Sequence, residues 1–311
     1  MDVSIIIVTY NTRQMTAECI ESVFEKTQNL DFEIILVDNA SIDGSKELFE
    51  KDSRIKYVYS EKNLGFGKAN NLGYNHASGK YIFLLNSDTL LVNNAIYEMF
   101  HFMETADSSV GCCGGMLLNR DGSFQSGYFK HFPSLWFIFQ EVLIEVCPLT
   151  TLINNPYRTV CDSNQMDRYP VDVSYICGAA LFIRKDVVEK CGLFDPEFFM
   201  YYEETEMQFR YQKNGFKSVV IDTPKIIHFQ GASSSKTDSS KKLKNQLKKF
   251  CINLKRLNVK LKSRFIYAKK TFSPFKFCIL RLIHLILIPR ALFSLNPWKD
   301  KKETIRIIFS L

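Results

Sequence analysis

Residues 3–8 (VSIIIV) form an unbroken apolar, mostly β-branched run, the pattern of a strand covered on both faces within a parallel sheet. Similar runs recur at 32–37, 55–59 and 81–85. The stretches between them carry helical spacing. Residues 16–26 set Ile20, Val23 and Phe24 on one side, Asp43-Gly44-Ser45 opens a second helix, and 66–76 gives a third. Strand and helix alternate four times in about 90 residues, which predicts an α/β fold with a doubly wound, mostly parallel sheet flanked by helices. Such sheets bind ligands beyond the carboxyl ends of their strands. The polar residues at those ends are Thr9-Tyr10-Asn11, Asp38-Asn39 and Asn86-Ser87-Asp88.

Downstream the pattern is less regular. Residues 120–172 mix aromatics with Asn, Pro and Asp, and predict irregular structure. A strand broken by Gly178 is expected at 175–183, helices at 185–191 and 203–213, and short strands at 219–222 and 225–228. The polar run 233–240 marks a boundary. It separates a catalytic domain at 1–235, with halves at 1–115 and 116–235, from an extension at 236–311. In that extension Leu243, Leu247, Phe250, Leu254, Leu257 and Leu261 recur every three or four residues among many lysines. This predicts a basic amphipathic helix suited to an anionic membrane surface. Residues 277–295 are strongly apolar but contain Arg281, His284, Pro289 and Arg290, which argues against a spanning helix. Two readings stay open for them: insertion at the membrane interface, or a helical cap packed on protein.

With 46% hydrophobic residues in 311, the chain can bury a large core, which excludes general disorder. The net charge of +7 hides a division. Residues 236–311 hold 20 Lys and Arg against three acidic residues, whereas 1–235 hold 20 against 30. Membrane contact through residues 241–295 is the reading of that basic end, and the lack of an aromatic-basic module speaks against nucleic acid. Nine cysteines with no CxxC pair point to reduced thiols rather than a disulfide framework or zinc site. Met1-Asp2 runs straight into the first strand without a basic leader. The expectation is a cytoplasmic protein, peripheral on the inner face of the cell membrane. Its oligomeric state stays open.

The phrase from 63 to 88 (NLGFGKANNLGYNHASGKYIFLLNSD) carries Asn63, Gly65, Ala69, Asn71, Gly73, Ala77, Gly79, Tyr81 and Asp88. Together with SIIIVTYN at 4–11 and VDNASIDGS at 37–45, it resembles the family 2 glycosyltransferases of the GT-A fold, over residues 1 to 235. The Asn-Ser-Asp triplet and the GFGKANN phrase look most like bacterial rhamnosyltransferases. The resemblance implies a nucleotide site built from Thr9, Tyr10, Asn11, Asp38, Asn63, Gly65, Asn71, Asn86 and Ser87. Asp88 stands in the D-x-D element and would bind Mn²⁺ or Mg²⁺, with His228 completing the metal site. In the segment from 198 to 210, Glu204 matches the catalytic base and Glu203 supports it. Cys177, Gly178, Ala179, Glu206 and Arg210 would meet the donor sugar or the acceptor.

An inverting transfer needs one group to take the proton of the attacking hydroxyl, and a divalent cation to draw off the charge of the departing diphosphate. The expected activity is therefore transfer of a sugar from a dTDP- or UDP-sugar, first rhamnose from dTDP-rhamnose, to a hydroxyl of a lipid-linked or surface glycan precursor. Galactofuranose, N-acetylglucosamine, glucose or galactose donors, or a non-catalytic membrane-tethered sugar-nucleotide binder, are the alternatives. No G-x-G-x-x-G follows the first strand, which excludes a nicotinamide dinucleotide enzyme.

Overall fold

The computed structural model describes residues 1–147, 169–229, 253–294 and 296–310. In chain order the first part runs β1 (Val3–Thr9), α1 (Arg13–Lys26), β2 (Phe32–Asp38), α2 (Ser45–Phe49), β3 (Lys56–Tyr59), α3 (Phe66–Tyr74), β4 (Tyr81–Asn86), β5 (Thr89–Leu91), α4 (Ala95–Thr105) and β6 (Val110–Leu118). Then come β7 (Phe124–Gln125), β8 (Tyr128–Phe129), α5 (Leu135–Val146), β9 (Val171–Val173), β10 (Tyr175–Ile176), β11 (Ala180–Arg184), α6 (Lys185–Cys191), α7 (Glu203–Lys213) and β12 (Lys217–His228). Four helices close the chain: α8 (Leu254–Thr271), α9 (Pro274–His284), α10 (Leu287–Leu292) and α11 (Trp298–Ser310). These elements group into two compact units. One comprises the described residues of 1–132, 163–196 and 203–235, the other those of 133–162, 197–202 and 236–311.

The first unit is built on a sheet with order β3-β2-β1-β4-β11-β6-β12-β5. Strands β1 to β4 pair in parallel, and β12 pairs in parallel with β6. Strand β11 is reversed between β4 and β6. This is the doubly wound, mostly parallel α/β architecture that the alternation predicts. The apolar run of β1 is covered on both faces, with Val3, Ile5, Ile6 and Ile7 fully buried. Two glycines of the 63–88 phrase serve packing. A Cβ on Gly73 would lie 2.6 Å from Ile6 Cγ2, and one on Gly79 only 2.4 Å from the Ser4 backbone nitrogen. The chain from 217 to 228 is one strand rather than two, with a register shift between Val220 and Lys225. Pro224 lies in that irregularity, where its missing N–H costs the ladder nothing.

In the second unit α5 corrects the expectation of irregular structure across 120–172. Residues 135–146 are helical, and Ser134 caps them by accepting from the Phe137 amide at 3.2 Å. Its Ile138 and Val142 pack with Leu254, Leu257, Leu261 and Phe265 of α8, Leu280 of α9, Leu287 of α10 and Ile307 and Ile308 of α11. This corrects a second expectation. Leu254, Leu257 and Leu261 face protein, not lipid, because five helices share one core there and remove that stripe from solvent. Leu243, Leu247 and Phe250, and the boundary at 235, lie outside the described residues. Below this core, fully buried Arg264 bridges Glu141 (3.2 Å) and Glu145 (2.8 Å). Lys260 reaches the same two carboxylates, and the Tyr202 hydroxyl donates to Glu141. Burial comes first and the Arg264 charge second in pushing the His284 imidazole down to about 3, so this ring is neutral. Among the described residues no helix is long and apolar enough to cross a membrane.

Candidate active site

The first unit gathers its polar side chains at the carboxyl edge of β1, β2 and β4. The register sets Thr9 beside Asp38 and Val8 beside Asn86. Behind that edge the hydroxyls of Thr9, Thr12 and Thr16 form a buried cluster, and Thr12 reaches Ser87 at 3.1 Å. Asn11 takes a left-handed φ of 55° and accepts from the Ile42 amide, while Tyr10 beside it is exposed. Asp38 is fully buried. One of its carboxylate oxygens accepts from the Ser41 amide at 2.8 Å, the other from the Tyr57 hydroxyl at 2.7 Å. Burial and then the bond to Asp38 raise the Tyr57 phenol well above its ordinary value, so it stays a donor. Asn63 accepts from Asn39 and from the Gly65 amide, and Gly65 at φ 83° leads the chain into α3.

Asp88 and His228 lie side by side. His228 Nε2 lies 3.4 Å from Asp88 Oδ1, and both are buried. Gln125, which no motif singles out, holds the other side of the ring. Its amide nitrogen donates to Asn119 Oδ1 and to the His228 carbonyl, so its Oε1 faces His228 Nδ1 at 2.8 Å. A proton is therefore held on Nδ1, and Nε2 is the ring nitrogen turned toward the Asp88 carboxylate. One nitrogen and one carboxylate fit a divalent ion that takes its remaining ligands from a diphosphate and water. Among the described residues no cluster of three His, Cys, Asp or Glu forms a complete cage.

The carboxylates of α7 approach the same edge. Burial, and then the neighbouring Glu204 charge, raise the Glu203 carboxyl well above the usual range, and its Oε2 has no hydrogen-bond partner. Burial raises Glu204 as well, against the amides of Glu204, Thr205 and Gly178, which hold its charged form. The loop at 177–179 lies between these groups. The Asn86 amide donates to the Ala179 carbonyl at 2.9 Å, and a Cβ on Gly178 would meet Phe66 at 3.3 Å and Glu204 Cβ at 3.7 Å. Burial, followed by the charges of Glu204, Glu203 and Asp88, pushes the Cys177 thiol up to about 12. The thiol lies in the loop that meets both Asn86 and Glu204. It is also protonated and no nucleophile. Gln208 fixes this loop to α7 by accepting from the Ile176 amide and donating to the Ile176 carbonyl, each at 2.8 Å.

Three expected site residues are engaged elsewhere. Asn71 makes a two-way bridge to the backbone of Phe194. Arg210 is paired with Glu206 through two contacts and donates to the carbonyls of Cys191, Gly192 and Leu193. With its fork committed to that loop, Arg210 has no donor left for a substrate. Asn71, Glu206 and Arg210 are thus each held by protein partners in this structure.

The sequence matches the family described as Glycosyl transferase family 2 over residues 4–192. It is 33% identical over 132 residues to glycosyltransferase GlyG of Streptococcus pneumoniae, covering 41% of this chain and 42% of that protein. It is 36% identical over 105 residues to the Escherichia coli UDP-Glc:alpha-D-GlcNAc-diphosphoundecaprenol beta-1,3-glucosyltransferase WfaP, covering 33% of this chain and 41% of WfaP. The matches thus span less than half of either relative. The fold is similar to the mannosyltransferase PcManGT of Pyrobaculum calidifontis, whose structure holds GDP-Man and Mn²⁺. There the TM-score is 0.52 at 15% identity, over 98% of this chain and 73% of that one.

Proposed function

Since this chain belongs to glycosyl transferase family 2, we propose that it moves a sugar from a nucleoside diphosphate to an acceptor hydroxyl with inversion at the anomeric carbon. The observation that carries this reading is the 177–179 loop at the carboxyl edge of the sheet, where the Ala179 carbonyl accepts from the Asn86 amide, two residues before Asp88, and Gly178 packs against Glu204. In the reaction Glu204 takes the proton of the acceptor hydroxyl as its oxygen attacks the anomeric carbon. The bond from that carbon to the diphosphate breaks, and its electron pair leaves with the diphosphate. A carboxylate whose affinity for protons is raised by burial suits a base working near neutral pH. The amide of Gly178 orients it. Asp38 and the 63–65 turn form the nucleotide side, where a carboxylate oxygen accepts a base N–H.

Asp88 and His228 would hold Mn²⁺ or Mg²⁺. When bound, that ion supplies Lewis-acid neutralisation of the diphosphate. The donor proposed first is dTDP-rhamnose, from the Asn-Ser-Asp and GFGKANN phrases. UDP-linked hexoses come second. The acceptor proposed is a lipid-linked or surface glycan precursor, a class supported by the diphosphoundecaprenol acceptor in the relative's name. The test is release of nucleoside diphosphate and labelled product across a panel of dTDP-, UDP- and GDP-sugars with Mn²⁺. No turnover of any donor, with or without acceptor lipid, would refute the reading.

A further inference from the structure

The helices α9 and α10 carry apolar residues on two opposite sides. One side is filled by the core of the second unit, through Leu280, Leu287 and Ala291. The other is open: Phe275 is 74% exposed, Leu282 64% and Phe293 89%, with Leu285, Ile286 and Leu292 also in solvent. Leu285 and Ile286, between the two helices, keep right-handed helical torsions. The helical period therefore carries across the junction, and Phe275, Cys278, Leu282, Ile286, Pro289 and Phe293 fall every three or four residues along one stripe. Trp298 at the start of α11 is 57% exposed. A water-facing helix ordinarily turns polar residues outward, and a contiguous apolar stripe of this length marks an interaction surface.

The charges around it identify the partner. From Phe272 to Lys299 the sequence has no Asp or Glu, but it holds Lys276, Arg281, Arg290 and Lys299. Lys276 and Lys299 are exposed. His284 is neutral and buried behind the stripe. Neither helix can cross a bilayer: they are 11 and 6 residues long. An apolar stripe bordered by cations and tipped by tryptophan fits the boundary of headgroups and acyl chains. We propose that the open face of α9 and α10 docks this protein in the plane of an anionic lipid bilayer, with Phe275, Leu282 and Phe293 entering the acyl region. This face is distinct from the leucine stripe of α8, which the protein core occupies. The inference stands apart from the transfer reading, since it uses no residue of the carboxylate site.

The test is sedimentation of the full chain with vesicles of phosphatidylcholine alone or mixed with phosphatidylglycerol. Wild type should sediment with the mixed vesicles and less with the neutral ones. Leu282→Asp with Phe293→Asp should weaken that partition by at least about tenfold, because two exposed apolar anchors are lost. Its melting temperature should be unchanged, since both side chains lie in solvent. Lys276→Glu with Lys299→Glu should weaken binding to the mixed vesicles only. Equal sedimentation of wild type and the Asp variant would overturn the proposal, as would wild type remaining in the supernatant with both vesicles. So would a wild-type dimer, seen by sedimentation velocity, that the Asp variant dissolves: the stripe would then be a subunit interface.

Discussion

Replacing Gln125 by Leu probes the contact that orients the His228 ring. The side chain keeps a similar volume but loses the oxygen 2.8 Å from Nδ1. The ring can then rotate, or move a proton between its two nitrogens, and in either case Nε2 is no longer held toward Asp88 for a metal. Removing such an outer partner of a metal-binding histidine costs about 10- to 100-fold in metal affinity, which is about 1.4 to 2.8 kcal/mol. The folded protein loses a similar amount, about 1 to 3 kcal/mol for a buried donor left without its acceptor. The assay is transfer or donor hydrolysis against Mn²⁺ concentration, with calorimetric titration of Mn²⁺ in the presence of nucleoside diphosphate. The expected result is a half-saturating Mn²⁺ concentration raised by that factor, with the rate at saturating metal recovering much of its wild-type value. An unchanged Mn²⁺ dependence in a well-folded variant would refute both the role of Gln125 and the assignment of His228 as a ligand.

Three further predictions follow from particular contacts. Glu204→Gln keeps the shape of the site and should cut kcat by about 100- to 10,000-fold, with nucleotide affinity by calorimetry unchanged; full activity would remove Glu204 as the base. Glu203 has a raised carboxyl pKa in the folded protein, so between its unfolded and folded values the native state binds the extra proton and stability falls as pH rises. Glu203→Gln should raise the melting temperature near neutral pH and flatten that decline, and an unchanged slope in pH-dependent melting would contradict the burial argument. Arg264→Met takes one cation from buried Glu141 and partly buried Glu145, leaving them Lys260, and should cost up to about 3 to 5 kcal/mol in urea unfolding; adding Glu141→Leu should return part of the loss.

The strands and helices of the first 90 residues are legible because each carries its own period, from the doubly buried run of β1 to the helical spacing of α1. Strand β6 is not, although it lies in the middle of the sheet. Its Gly-Cys-Cys-Gly-Gly composition has little strand signal. Those glycines answer to distant residues: a Cβ on Gly115 would lie 2.6 Å from Pro224 Cβ, and one on Gly114 2.8 Å from Ile176 Cγ2. At the site, Asp88, His228, Glu203 and Glu204 are singled out by the family resemblance of the segments that carry them. Gln125 and Gln208 are not, because a glutamine that orients another side chain leaves no periodicity behind. Two motif residues show the same dependence on distant partners. Asn71 and Arg210 stand in motif positions, yet their polar groups are satisfied by carbonyls of the 191–194 loop, which are remote in sequence.

The reversal of β11 has an architectural consequence. A parallel strand delivers its outgoing loop to the ligand edge, but β11 delivers its incoming one, so residues 177–179 arrive there before the strand begins. Because Ala180 to Arg184 are registered against Leu85 to Tyr81, the sheet holds this arrival point whatever length of chain comes ahead of it. The rungs that lead up to Asp88 are therefore set by β1, β4 and β11, not by the chain that leads into β10. Under the proposed transfer, the fold thereby separates the strands that hold the leaving-group side from the segment that brings the 177–179 loop to it.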